Sequence, residues 1–143
     1  MGTVTDDGLS ITLGSQTLRL TDEVRVRCPR LREFHGRELV VGVRPEHLEV
    51  EPPAAETLRD ATIDGVVEMV ETLGFAKYAY VRTDFAAPDN FADGSVRVDG
   101  DHHLLVARAD SRVQVRVGSK IHMRVARECL HFFDPSDLRS IRV

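Results

Sequence analysis

The chain has 143 residues, 42% hydrophobic and 29% charged, with a formal net charge of −4. That is the profile of a globular domain with its own core, and it argues against a broad surface built to track phosphates. No apolar run approaches the ~18 residues a membrane-spanning helix needs, and Met1-Gly2-Thr3-Val4-Thr5-Asp6-Asp7 lacks the basic-then-apolar order of a secretory signal.

Residues Leu9 to Leu20 read as a hairpin: Ile11 and Leu13 alternate with polar neighbours, Gly14-Ser15-Gln16 turns, and Leu18 and Leu20 resume the alternation. Val24-Arg25-Val26-Arg27 reads as a short strand that Cys28-Pro29 breaks. Arg30 to Gly36 fits a helical turn or a loop equally well. Leu39 to Arg44 is a buried strand, and Pro45, which has no N–H for a ladder, ends it in a pinned corner. Glu49 to Asp60, with Pro52-Pro53-Ala54-Ala55, reads as a connector or a short helical excursion.

Thr62 to Leu73 is a long strand in which Gly65 marks a bulge or a close approach. Gly74 ends it, and Phe75 to Thr83 returns beside it. Asp84 to Gly100 is rich in Asp, Ala, Gly and Pro and reads as an exposed loop, with Val96 and Val98 as an edge strand. His102 to Ala107, Val113 to Val117, Ile121 to Val125 and Cys129 to Phe133 are further strands, Gly118-Ser119 is a turn, and Asp134-Pro135 terminates the series. Ser136 to Val143 fits a helical turn or a short strand. About nine short strands without helical crossovers predict an all-β fold, a small barrel of the OB type. A version in two interwoven halves divides at about 1–52 and 61–143 around the Pro-rich connector.

Chemistry is sparse. The chain has no G-x-S-x-G or H-E-x-x-H string, so no enzyme is expected within it. Cys129 and His131 would share a strand face, but no second ligand pair completes a metal site. Without an export signal, Cys28 and Cys129 are expected to be reduced. Arg44 and Glu46 suggest a local salt bridge at the corner, and His47 a hydrogen-bonded structural histidine. Phe75, Tyr78 and Tyr80, the last two sharing a face, could stack bases as in single-strand-binding OB domains or simply pack against the neighbouring strand; the acidic charge favours packing and no nucleic acid. Glu71 interrupts the apolar register of Val67, Met69 and Leu73, which requires a buried partner or a bulge that turns it outward.

Three ordered stretches carry a resemblance. Gly36 to Leu48 ends in Gly42-Val43-Arg44-Pro45-Glu46-His47-Leu48. Asp64 to Gly74 contains Gly65, Glu68, Glu71 and Gly74 in a valine-rich strand. Val117-Gly118 leads through Leu130-His131-Phe132-Phe133-Asp134. Together they resemble the C-terminal regulatory domain, often called TOBE, of ATP-binding subunits of carbohydrate ABC importers of the maltose type. The resemblance implies a homodimerising, regulatory OB-type barrel in a subunit that couples ATP hydrolysis to sugar import. Its partners would be an ATP-binding cassette, transmembrane permease subunits and a cytosolic regulator, and its location the cytoplasmic face of the cell membrane. Gly42 and Arg44 to Leu48 would form the structural corner, and Gly36, Gly65, Glu68, Glu71, Gly74, Gly118, His131 and Phe133 would lie at regulatory or dimer contacts. The chain has neither the G-x-x-x-x-G-K-[ST] phosphate loop nor the Leu-Ser-Gly-Gly-Gln stretch of a cassette. ATP and magnesium are therefore expected in a cassette outside these residues, with no cofactor in the chain itself. Two other readings are left open: a barrel that binds an oxyanion or a sugar and, ranked last, an OB domain that binds single-stranded nucleic acid.

Overall fold

A computed structural model describes residues 1–52, 58–85, 97–98 and 102–141, with the backbone alone at 97–98 and 102–103. Two sheets share one core. The first contains β1 (Gly2–Val4), β2 (Ser10–Leu13), β3 (Gln16–Arg19) and β4 (Glu38–Gly42). The chain then crosses to the second sheet as β5 (Leu48–Val50) and continues there as β6 (Thr62–Leu73), β7 (Ala76–Arg82), β8 (Arg97–Val98), β9 (His102–Asp110) and β10 (Lys120–Val125). It ends by returning to the first sheet as β11 (His131–Phe133).

In the second sheet the order β5-β10-β6-β7-β9 closes on itself, because β5 also pairs with β9 at Glu49 and Arg108. The result is a five-stranded barrel with β8 as an appendage of β9, the all-β OB-type architecture expected. The first sheet runs β11-β4-β1-β2-β3. A boundary between the sheets does not fall at the Pro52-Pro53 connector: β5, before it, belongs to the barrel, and β11, far after it, belongs to the first sheet. Val4, Ile11, Leu18, Leu39 and Phe132 pack in the same buried cluster as Leu48, Val67, Val81 and Met123. Truncating one of the largest, such as Phe132, would cost about 3–5 kcal/mol.

Several elements differ from the sequence reading. Residues 24–27 are helical, not extended: α1 (Asp22–Arg27) begins at Thr21, whose hydroxyl accepts from the Val24 N–H, and it carries acidic residues in its first turn and arginines in its last. Val24 is buried but Val26 is 79% exposed, so two valines that a strand would place together are split by the helical period. Arg30 to Gly36 resolves mainly as a 3-10 turn, Pro29–Phe34, that buries Leu31 and Phe34. The Gly2–Val4 and Leu48–Val50 strands are too short to have announced themselves. Val113 to Val117 is not a strand. Val113 and Val115 do lean on the core, but the Val113 N–H bonds the Asp110 carbonyl in a turn, and Gly118 and Ser119 take the nearby main-chain partners on Val67. Arg127–Cys129 is a 3-10 turn, so Cys129 and His131 do not share a strand face. Both cysteines are free thiols. Most of the loop expected at Asp84 to Gly100, Val96 included, lies outside the described residues, as do 53–57 and 142–143; Arg97–Val98 does form an edge strand on β9.

The β2–β3 turn is clamped to the barrel. The Gln16 amide brackets the Asp64 main chain, donating to its carbonyl at 3.1 Å and accepting from its N–H. The Asp84 carboxylate accepts from the Ser15 N–H at 3.2 Å, the Ser15 hydroxyl and the Gln16 amide at 3.0 Å. The Ser15 and Gln16 side-chain bonds hold the Asp84 pKa below its ordinary value. A carboxylate depressed in the folded state adds stability that is complete above the ordinary carboxylate range and is lost as pH falls through its lowered value. Asp84→Asn should therefore flatten the acid limb of a plot of urea midpoint against pH. At Gly65 a Cβ would sit 2.4 Å from Val81 Cγ1 and 2.8 Å from the Arg82 carbonyl oxygen. Gly65→Ala is expected to cost about 1–3 kcal/mol in urea unfolding, because backbone as well as a side chain must yield.

Candidate functional site

The Gly42-to-Leu48 corner is the crossover between the two sheets. Gly42 lies opposite His131 in the β4–β11 pair. Arg44 is extended, Pro45 opens a 3-10 turn over Pro45–His47, and Leu48 enters the barrel fully buried. The turn closes with the His47 N–H on the Arg44 carbonyl at 2.9 Å, and the His47 carbonyl accepts from Ala126 at 2.9 Å. Arg44, Pro45 and Glu46 are exposed, and Arg44 and Glu46 form no ion pair with each other, contrary to the expected local bridge. The expected hydrogen bond of His47 is also absent from its ring: Nδ1 is buried and has no partner among the described residues. Main-chain bonds therefore hold this corner. Gly36 and Gly118 occupy turns, with Gly36 bonded to Val4 and Gly118 to Val67 through their N–H groups. His131 and Phe133 stitch β11 to β4. His131 and Phe133 thus adjoin Gly42 of the corner, and Gly118 bonds the Val67 carbonyl next to Glu68.

Glu68, Glu71 and Gly74 do come together. The register of β6 against β7 slips between Val67 and Met69, so Glu68 is the extra residue of a bulge. Before it, Val67 faces the core. After it, Val70 points inward and Met69, Glu71 and Leu73 point out. This is the outward turn that Glu71 requires, and it sits at Glu68, not at Gly65, whose role is close packing. Glu68 pairs with Arg82 at 2.8 Å. Glu71 accepts a 2.9 Å hydrogen bond from the Tyr80 hydroxyl. Gly74 makes the β6–β7 turn with φ of 59°, which glycine adopts without steric cost.

The outer face of β6-β7-β9 reads in three cross-strand rows: Met69–Tyr80–Val106, Glu71–Tyr78–Arg108 and Leu73–Ala76–Asp110. Tyr78 and Tyr80 share this face, as their spacing predicted. Met69 is 45% exposed, Leu73 55% and, at the hairpin tip, Phe75 82%. These three are half of the large exposed hydrophobic residues described, gathered on one hairpin. Sequence reasoning put Met69 and Leu73 on the core-facing register and singled out Phe75 only as a stacking candidate beside Tyr78 and Tyr80; the one signal that could have found the other two was the misfit of Glu71. Among the described residues no group of His, Cys, Asp and Glu is placed to hold a metal ion.

Residues 1–48 match the family model for the MalK OB fold domain, and the match stops at the last residue of the corner. The chain is also similar to the sn-glycerol-3-phosphate import ATP-binding protein UgpC of Cupriavidus metallidurans, 36% identical over 97 residues, which is 68% of this chain and 20% of that protein. The trehalose import ATP-binding protein SugC of Mycobacterium tuberculosis is 31% identical over 103 residues, 67% of this chain and 26% of that protein. The multiple sugar-binding transport ATP-binding protein MsmK of Streptococcus mutans is 27% identical over 142 residues, 97% of this chain and 30% of that protein. This chain is an OB-type domain of the carbohydrate-importer ATP-binding subunits. It spans about a fifth to a third of the length of these relatives.

Bonding of its neutral O–H to Glu71 raises the pKa of Tyr80, since that bond is lost on ionisation. In a Tyr78→Phe background, Glu71→Gln should bring phenolate formation at Tyr80 down toward the ordinary tyrosine range, read by ultraviolet absorbance during a pH titration. An unchanged titration would mean that the Glu71–Tyr80 contact does not persist in solution.

Proposed function

We propose that this domain is a non-catalytic regulatory and dimerisation module of an importer ATPase subunit. The observation that carries the reading is the outer face of β6-β7-β9, where Met69, Leu73, Phe75, Tyr78 and Tyr80 are presented together. Methionine and aromatic residues are the types enriched at protein interfaces. The face is also self-complementary in charge. Glu71 and Arg108 flank Tyr78 in one row on opposite strands. A twofold axis along β7, lying between two such faces, would set Glu71 of each copy against Arg108 of the other and bring the two Tyr78 rings together.

In this reading the domain holds two ATPase subunits together while their cassettes open and close, and a bound cytosolic regulator biases that equilibrium. ATP, magnesium and the contact with permease subunits belong to the cassette. The module works at the cytoplasmic face of the membrane, carried there by the transporter. The similarity to importer ATP-binding proteins supports the setting, and the lack of a phosphate loop in the chain supports a mechanical role.

Sedimentation over a concentration series tests the association. The wild-type chain should show a monomer–dimer equilibrium. Phe75→Asp combined with Met69→Asp should weaken it by at least about tenfold, the consequence of ~1.4 kcal/mol lost at the interface, with an unchanged circular dichroism spectrum. A strict monomer at every accessible concentration would remove the dimerisation role.

A further inference from the structure

On the opposite flank of β6 a second feature plays no part in the dimer reading. A cleft of about 460 Å³ opens where the β2–β3 turn meets the barrel, with Gly65, Val66, Arg82, Thr83 and Lys120 among the residues that line it. The strand register places its charged walls: Lys120 lies opposite Val66 on one side, and Arg82 lies opposite Val66 on the other. The two cations therefore stand in one cross-strand row on one face, with Cα atoms two strand spacings or ~10 Å apart. Long side chains at that separation can converge on one group held above Val66.

The acidic groups beside them are already engaged. Both Asp84 oxygens accept bonds from Ser15 and Gln16. Asp64 is bonded to His122 across the β6–β10 pair. Glu68 takes one edge of Arg82 through Nε, and the guanidinium's two terminal nitrogens make no hydrogen bond among the described residues, so they can serve another acceptor. Lys120 is exposed and makes none of the ion pairs among the described residues. The Thr83 hydroxyl oxygen is buried and has no hydrogen-bond partner among the described residues, an arrangement that costs free energy unless something bonds to it.

We propose that this cleft binds a phosphate group, with Lys120, Arg82 and the Thr83 hydroxyl as its donors. An ammonium, a guanidinium and a hydroxyl on separate parts of the wall suit a tetrahedral anion with several acceptor oxygens better than a flat carboxylate with two. The volume exceeds what a bare ion fills and admits a small organic group attached to the phosphate. A ligand seated here touches both the β6-β7-β10 wall and the neighbourhood of the Gln16 clamp. Occupancy would thus stabilise the junction between the two sheets.

Calorimetric titration of the 143-residue chain tests this with inorganic phosphate, glucose 6-phosphate and glucose. Saturable binding of phosphate or of the ester, with a Kd on the order of 0.1–1 mM and none for glucose, is the expected result. The first two arms tell a free ion from an esterified one. Lys120→Met should weaken binding by about tenfold and Lys120→Glu should abolish it. Glu68→Gln, which releases Arg82, should strengthen it. Each variant must retain the wild-type urea midpoint, and Arg82→Lys replaces any that does not. No saturable binding to either phosphate compound, or binding that Lys120→Glu leaves intact, overturns the site. A failed titration leaves the sedimentation result untouched, so the two readings fall separately.

Discussion

The fold depends on an exchange of strands across one corner. Pro45 ends β4's run and its turn sends Leu48 into the barrel, where β5 pairs with β10 at Val50 and Met123 and touches β9 at Glu49 and Arg108. Without β5 the ring β10-β6-β7-β9 would have two open edges, which is the condition that invites strand pairing with other chains. The exchange is reciprocal, since β11 returns from the end of the chain to lie on β4. Each sheet is completed by a piece of chain from the other side, so the two share a single core and cannot unfold independently without exposing it.

The bulge at Glu68 has the second largest consequence. A strand side chain alternates faces with a period of two, so one inserted residue inverts everything after it. Val67 and Val70 both reach the core, three residues apart, and the residues between and beyond are turned outward. A long valine-rich strand thereby becomes core at its beginning and display surface at its end. The same strand serves the barrel interior, the apolar outer face near its tip and the polar cleft near its start, where Gly65 and Val66 lie.

Much of the architecture was legible in the residues. The hairpin through Gly14, the long strand after Ala61, its partner after Gly74 and the strand from Ile121 all carry period-two patterning with turn chemistry at the ends. Pro45 marked the corner for the same reason that it makes it, its fixed φ and missing N–H. The errors have physical causes. Val24 and Val26 mimic a strand because two alternations cannot distinguish a half-exposed strand from one helical turn; the Thr21 cap and the charges ordered along the turn were the better guides. Val113 and Val115 lean on the core between exposed Gln114 and Arg116 as strand residues would, yet the Val113 N–H is taken by the Asp110 carbonyl in a turn.

From the sequence alone came the all-β class, the barrel type, the family resemblance and the pinned corner at Pro45, because these follow from local periodicity and from backbone constraints each residue carries with it; that this corner links the two sheets did not. Which sheet β5 and β11 join, where the bulge falls, and that Lys120 and Arg82 flank Val66 were decided only by the tertiary structure. Those facts depend on which edge is left unpaired and in what register it is taken up, and that is a property of strands distant in the chain.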